Sequence, residues 1–418
     1  MHDPILKPQS PAEITAAAAS VRAAMADTEL SLVEMLAVFE AWAAALSARE
    51  LDAVPGVAFL RIWLRRGTIE PIIARELGPN ALAGGWEKDG RAQLRAFPLG
   101  IVGHWPAGNI EIQPILSLTC GLLGGNAALV RVPTALVDVT RKLMAPLAAN
   151  AGGQKLLKRI ALLSFEHARE DLQQAMAQSV DGAMIWGGKE AVLNVRQLPF
   201  PSWAHLAVFG PRLSVAAMDA ATWSDAGQRD AWCQRIARDV WQFDQQACSS
   251  PQTLFLEKKA GCAIDEFVAA LKQAFIVENR AHPREVIQSS LTSAIAQARA
   301  GWLLSDATHR GYFPQGPDWT LLTGSGADIA TPTQGRTLTV LEVDDLREPV
   351  KKFDGNVQTL GLALADAAKE AELATLAGKR GVDRVVKLGR MHVFIPPWDG
   401  VDLIRPMTHI VRHVPSTE

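Results

Sequence analysis

The chain has 418 residues, which at about 150 residues per domain predicts two or three domains. Apolar residues make up 48% and charged residues 21%, enough apolar surface to exclude long-range disorder. Lys and Arg total 42 against 44 Asp and Glu, and a net charge of −2 excludes a field that would gather nucleic acid as a main partner.

Cys120, Cys233, Cys248 and Cys262 form no CxxC pair, which argues against a structural zinc site, and no metal is expected. The first ten residues lack the basic-then-apolar order of a signal peptide, and no run of about 18 apolar residues appears. The expected protein is therefore cytoplasmic, without membrane insertion, and its thiols are expected to be reduced.

In chain order, the first ninety residues read as helical, without a strand signal. Ser10-Pro11-Ala12-Glu13 reads as a capping box with proline at the first helical position, and Ser31 with Glu34 repeats the box. Pro98 to Gly103 is a short apolar run. Ile110 to Leu123 has helical spacing and stops at Gly124-Gly125. Strands are predicted at 127–132, 160–165, 182–186 and 204–209, with helices at 134–149 and 168–178. Strands alternating with helices of this length predict βαβ units and a parallel sheet.

A second block starts near residue 220. A helix over 228–242 leads to a polar loop, 244–250, then a strand over 253–257 and a helix from 265 to 274. Residues 302–336 read as loop-rich. Strands follow at 338–343 and 391–395.

Cys248 is the first candidate for chemistry. It lies in Phe243-Asp244-Gln245-Gln246-Ala247-Cys248-Ser249-Ser250-Pro251-Gln252, between a helix and a strand, among small and amide residues. A thiol on such a loop can reach a substrate, with backbone N–H groups near a developing oxyanion; the other reading is a buried structural cysteine. Cys120, inside an apolar helix, reads as core. The second candidate, Gly103-His104-Trp105-Pro106-Ala107-Gly108-Asn109, follows a strand and opens a helix. Asn109 is either an amide donor for a reacting carbonyl or the N-cap of that helix. His104 is either an acid or base or, as is usual for a lone histidine beside tryptophan, packing or hydrogen-bonding structure. The third, Trp186-Gly187-Gly188-Lys189-Glu190-Ala191, places two glycines between a strand and a helix, a phosphate-binding geometry without the GxGxxG fingerprint.

Taken together and in this order, Gly100 to Asn109, Gly124 to Pro133, Trp186 to Val192, Phe209 to Ser214, Asp244 to Gln252 and Pro397-Trp398-Asp399-Gly400 resemble the aldehyde dehydrogenase superfamily. Within it the chain is similar to the acyl-CoA reductases of bacterial-luminescence fatty-acid reduction. The resemblance implies an α/β fold of two parallel-sheet domains with the active site in the cleft between them. It implies a dinucleotide-binding domain with N-terminal helices over 1–220 and a catalytic domain over 221–390. The segment 391–418 would join the nucleotide domain or an oligomer interface, and a homo-oligomer is expected. Carried over, Cys248 is the nucleophile and Asn109 the oxyanion donor. Arg131 holds the adenosine ribose, Gly187 and Gly188 lie under the dinucleotide phosphates, and Glu342 binds the nicotinamide ribose or is a solvated strand-end residue.

Two departures carry information. Where ordinary aldehyde dehydrogenases have Glu-Leu-Gly-Gly-Lys, this chain reads Val208-Phe209-Gly210-Pro211-Arg212. Valine takes no proton, so an acyl-enzyme would hydrolyse slowly and would exchange with a thiol such as CoA or be reduced. Thr134 stands where NAD-preferring relatives often carry glutamate, and Arg131 adds positive charge nearby. NADPH is therefore expected, with NADH as the alternative. The expected reaction is reduction of an acyl thioester, by default fatty acyl-CoA, to the aldehyde. An acyl carrier protein or acyl-protein synthetase is the other donor. The rival readings are an ordinary aldehyde dehydrogenase and a catalytically silent scaffold.

Overall fold

In a computed structural model, residues 4–27, 30–284 and 287–415 are described, and the chain divides into two units. One comprises Met1–Pro211 with Phe394–Glu418, the other Arg212–Val393. In the first unit the chain forms β1 (Ile5–Leu6), β2 (Glu87–Asp89), β3 (Ala92–Pro98), β4 (Ile101–Trp105), β5 (Ala127–Arg131), β6 (Ile160–Leu163), β7 (Gly182–Trp186) and β8 (His205–Phe209). The second unit holds β9 (Leu213–Met218), β10 (Pro251–Glu257), β11 (Arg310–Tyr312), β12 (Thr320–Ser325), β13 (Thr337–Val343), β14 (Val357–Ala363) and β15 (Arg384–Lys387). The chain ends in the first unit with β16 (Thr408–His413).

The first unit carries a six-stranded sheet in the order β1-β6-β5-β4-β7-β8, with every pair parallel. From β4 the chain steps outward to β5 and β6. It then crosses to the other side of β4 to place β7. The reversal makes the β4/β7 boundary a topological switch point, where loops at the carboxyl ends of the strands part and leave room for a ligand. A separate antiparallel sheet, β16-β3-β2, completes this unit.

Local sequence explains the supporting helices. At Leu32–Ala45 the capping box forms in full: the Glu34 N–H reaches the Ser31 hydroxyl at 3.2 Å and the Ser31 N–H donates to the Glu34 carboxylate at 2.9 Å. At Ser10 the bonds differ from those of a capping box: the Ser10 hydroxyl donates to the Glu13 carboxylate at 3.1 Å, which also takes the Gln9 N–H at 3.2 Å, while the Glu13 N–H goes to the Ser10 backbone carbonyl. Trp42 and Trp63 are buried, and each indole N–H finds an acceptor at 2.8 Å, the Leu143 carbonyl and the Thr119 hydroxyl. Helix Gln113–Leu123 is buried from Pro114 onward, as its nearly unbroken apolar run requires.

The second unit carries a seven-stranded sheet, β11-β12-β13-β10-β9-β14-β15, parallel except for the β11/β12 pair. Its central strands are apolar on both faces because both are covered. Ala216, Met218, Leu254 and Leu256 pack into one cluster with Trp232, Ile236 and Phe267; Val215, Ala217 and Phe255 pack into another with Leu346, Leu360 and Leu373.

The structure departs from the sequence expectation at several places. β9, placed by sequence in 1–220, hydrogen-bonds on both sides within the second sheet, so the unit begins at Arg212. Residues 302–336 are less loop-like than expected: they contain β11 and β12, and helix Ser289–Ser305 reaches into them. The apolar run 391–395 is not a strand. Its Met391 and Val393 carbonyls turn to the buried Arg384 guanidinium at 3.4 and 3.0 Å, leaving no ladder to join. Short strands also appear in and just after the stretch read as purely helical, at β1, β2 and β3.

The C-terminal return to the first unit depends on a buried carboxylate. Glu76 is fully buried and accepts from the Ile404 and Arg405 N–H groups at 2.7 and 3.1 Å, with Arg75 paired to its other oxygen at 2.8 Å. Burial pushes its pKa up, against the opposing pull of those N–H donors. Replacing Glu76 by Ala would leave two amides without acceptors in the interior, and we expect a loss of about 2–3 kcal/mol. The shift of the denaturant midpoint measures it; a midpoint equal to wild type contradicts this account.

Candidate active site

In the first unit the predicted residues gather at one edge of one sheet. β4, β5 and β7 are neighbours and parallel, so the loops after them share the carboxyl edge. Asn109 stands exposed in the loop after β4. It is not the N-cap of the next helix, which begins at Gln113 with Ile112 in that position. Gly187 and Gly188 follow β7, and Gly188 is the N-cap of helix Lys189–Arg196. A Cβ on Gly188 would meet nothing within 4 Å, so the approach to this helix N-terminus is open. Trp186, just before the turn, stacks on Phe209 with ring centroids 3.7 Å apart and donates to the Ser117 hydroxyl at 2.9 Å.

Arg131 is the last residue of β5. Its guanidinium lies over the Phe165 ring and donates to the Phe165 carbonyl at 3.4 Å. The buried Nε finds no partner among the described residues, and burial lowers the pKa of the group. Thr134, three residues on, is exposed. His104 is structural: it is fully buried, its Nδ1 is 2.8 Å from the Ser117 hydroxyl, and burial drops its pKa to about 3.

In the second unit Cys248 lies half-buried just before β10. The Ser250 N–H donates to the Ala247 carbonyl at 2.9 Å, closing a turn with Cys248 and Ser249 at its centre. The Cys248 carbonyl accepts from the Ser214 hydroxyl at 2.7 Å. Upstream, Phe243, Asp244 and Gln245 have φ of 55, 53 and 61°, a left-handed run that non-glycine residues avoid at about 1–2 kcal/mol each. Two clamps hold it. The Asp244 carboxylate accepts from Arg284 at 2.8 Å and Arg336 at 2.6 Å. The buried Gln245 amide donates to the Pro251 and Thr337 carbonyls at 2.8 and 2.7 Å and accepts from the Thr337 N–H at 2.6 Å. The other thiols are elsewhere. Cys120 and Cys233 are buried with pKa pushed up, that of Cys233 to about 12, and Cys262 is exposed.

Glu342 does not belong to this end of the sheet. Register pairs it with Leu256, late in β10, whereas Cys248 precedes the start of that strand. Five residues of strand between Pro251 and Leu256, at about 3.3 Å each, put roughly 16 Å between the two levels. The half-buried Glu342 carboxyl instead has Lys258 and Asp265 as its charged neighbours, with burial raising its pKa. The expectation that it serves a nicotinamide ribose beside Cys248 is therefore corrected.

The acyl-CoA reductase (LuxC) family model matches residues 6–411. The chain belongs to this family. The long-chain acyl-protein thioester reductase of Vibrio harveyi is 24% identical over 361 residues, covering 84% of this chain and 72% of that protein. A second such reductase, from Photobacterium leiognathi, is 21% identical over 362 residues, covering 85% and 73%. Among solved structures, glyceraldehyde-3-phosphate dehydrogenase GapN from Methanocaldococcus jannaschii, complexed with NADP, aligns with a TM-score of 0.70 at 12% identity, covering 97% of this chain and 95% of that one. The putative aldehyde dehydrogenase PutA from Anabaena variabilis aligns at 0.69 and 13%, covering 99% and 95%. At these identities the shared feature is the aldehyde dehydrogenase fold.

This reductase-family chain also has anchors that sequence spacing did not single out. Ser214, Arg284, Arg336 and His392 all bear on the cysteine loop. His392 is fully enclosed by protein and pushed down to about 4 by burial; its Nε2 is 2.7 Å from the Asp239 carbonyl. Burial raises the Asp239 carboxyl to about 7, although the Gly389 N–H donates to it at 2.6 Å. An acid whose native pKa lies above its unfolded value of 3.8 favours the protonated native state. Its contribution is present at low pH and lost as pH rises through about 7. We expect Asp239→Asn to gain stability relative to wild type between pH 4.5 and pH 8, and paired denaturant titrations at the two pH values read it. An unchanged difference would show that Asp239 does not titrate in this window.

Proposed function

We propose that the chain reduces an acyl thioester to the aldehyde with NADPH, through a covalent acyl group on Cys248. The reading is carried by a half-exposed cysteine, held in a clamped turn before β10, in a chain matched by the acyl-CoA reductase family over residues 6–411.

The chemistry assigned to this chain's residues follows from their types. The Cys248 thiolate attacks the thioester carbonyl carbon, and the oxygen gains negative charge. The Cys248 N–H and the Asn109 amide are the proposed donors to that oxygen, each worth about 3 kcal/mol in a water-poor site. The carbonyl re-forms as the carrier thiolate leaves, and the acyl group stays on Cys248 Sγ. A reduced nicotinamide, when bound, supplies the hydride that takes this thioester to the aldehyde level. The C–S bond then breaks and returns the Cys248 thiolate.

The carboxyl edge of the first sheet fits a dinucleotide. It offers a switch point, an open helix N-terminus at Gly188, and in Arg131 a part-buried cation with an unpartnered Nε. Gly187 and Gly188 would face the phosphates and Arg131 the adenosine end. With Thr134 in place of a carboxylate, a 2′-phosphate meets no repulsion. The valine at 208 favours the reductase over an ordinary aldehyde dehydrogenase, because no carboxylate stands there to activate water. The family description names acyl-CoA and the relatives' names specify acyl-protein, so both carriers are candidate donors.

Intact mass after mixing with long-chain acyl-CoA or acylated carrier protein, without nicotinamide, tests the acyl-enzyme. We expect an acyl-sized gain, absent in Cys248→Ala and reversed by NADPH with release of aldehyde. No gain from either donor, or a gain retained in Cys248→Ala, would overturn the assignment. Cofactor choice has its own test. Thr134→Glu should lower kcat/KM for NADPH by about tenfold or more while leaving that for NADH nearly unchanged, since a carboxylate near a phosphate costs on the order of 1–4 kcal/mol. Equal losses with both cofactors would remove Thr134 from the specificity argument.

A further inference from the structure

The turn that carries Cys248 is tied at a point the reaction scheme leaves unused. The residue after it, Ser249, is buried, and its hydroxyl is 2.9 Å from His392 Nδ1. The other ring nitrogen, Nε2, is 2.7 Å from the Asp239 backbone carbonyl. A carbonyl only accepts, so the proton resides on Nε2, and Nδ1 accepts from the Ser249 hydroxyl. The same imidazole meets the Phe243 ring edge-to-face at 5.7 Å, at the start of the left-handed run. His392 therefore touches both ends of the cysteine loop. Its own segment is fastened by the Asp239 carboxylate, which accepts from the Gly389 N–H.

We propose that His392 is a positioning residue for the Cys248 nucleophile: by accepting the Ser249 hydroxyl it fixes the turn that aims the thiol and the Cys248 N–H. This inference rests on the reading of Cys248 as the acylated residue. His392 is no proton carrier here. Fully enclosed by protein, the ring stays neutral well below physiological pH, so the acceptor at Nδ1 is present throughout the working range. The Ser214 bond to the Cys248 carbonyl and the Gln245 clamp fix the neighbouring peptide and the approach to the turn. The Ser249 link fixes the remaining direction. Displacement of a nucleophile by about 1 Å costs on the order of a hundredfold in rate.

The two hydrogen bonds of the ring can be separated by substitution. In His392→Asn the side-chain oxygen stands in for Nδ1 and still accepts from Ser249. In His392→Gln the amide N–H₂ stands in for Nε2 and still donates to the Asp239 carbonyl, but the Ser249 link is lost. Ser249→Ala removes the same link from the other side. The experiment measures the single-turnover rate of Cys248 acylation by an acyl thioester, with melting temperature and the rate of thiol alkylation by iodoacetamide in parallel. We expect His392→Gln and Ser249→Ala to acylate ten- to a hundredfold more slowly, and the double variant to be no slower than either single. His392→Asn should recover most of the rate. Alkylation, which needs no aimed oxyanion donor, should change by less than about threefold in all of them.

Wild-type acylation rates in His392→Gln and Ser249→Ala would overturn the proposal. So would losses in all three variants that follow their melting temperatures, which would make His392 a packing residue only. If wild type itself is not acylated at Cys248 by acyl-CoA or by acylated carrier protein, the parent reading fails first. The two failures are thus distinguishable.

Discussion

The left-handed run Phe243, Asp244, Gln245 is the constraint on which the placement of Cys248 depends. Helix Arg229–Trp241 must end and deliver a thiol to the mouth of β10 within a few residues. The path taken passes through a backbone region that side chains with a Cβ avoid. The opposing contributions are larger. Asp244 receives two guanidinium groups, and charge-assisted bonds of this kind contribute about 1.5–3 kcal/mol each. Gln245 uses both ends of its amide on backbone partners from β10 and β13. The strain is therefore held partly by the sheet itself, through Gln245, and partly by the arginines that meet Asp244. Such pre-organisation lets a nucleophile attack without first ordering its own loop.

The two units place their candidate site residues at opposite kinds of edge. In the first sheet the loops follow the strands, at the carboxyl edge, where a switch point and a helix N-terminus suit a phosphate. In the second sheet Cys248 precedes its strand, at the amino edge. On the proposed reading, the same parallel architecture would serve anion binding in one unit and covalent chemistry in the other. The correction at Glu342 follows from this polarity. A residue late in β13 faces the carboxyl edge, and no side-chain rotation carries it to the amino edge where Cys248 stands.

Much of this was legible in the chain because turns and strand ends speak in local residue types. Gly187-Gly188 and the Pro106 to Asn109 loop mark places where a strand gives way to a loop, and the small residues around Cys248 mark a loop that leads into one. Helix Gln113–Leu123 and β7 were equally plain from their apolar runs. What failed depends on partners distant in sequence. The run 391–395 looks like a strand until Arg384 takes its carbonyls. β12 was masked by threonine and glycine, and its strand character comes from pairing with β13. Val340-Leu341-Glu342-Val343 matches a motif in composition, but its register against β10 decides which edge it faces. Nothing local in the sequence pairs Arg284 or Arg336 with Asp244.

The proposed acyl-enzyme would set what the surrounding residues must do. A thioester on Cys248 would have three fates: water, another thiol, or two-electron reduction. Attack by water needs a base, and the position that the resemblance equates with the glutamate of ordinary aldehyde dehydrogenases is Val208 here, whose side chain cannot take a proton. Removing that base slows one fate without assisting the others. The remaining two both require that the acyl carbonyl be held still, one for an incoming thiol and the other for an incoming hydride. Loss of water activation therefore raises the value of a rigid turn. The ties from Ser214, Gln245 and His392 all bear on that turn or its approach, each from a different part of the second unit.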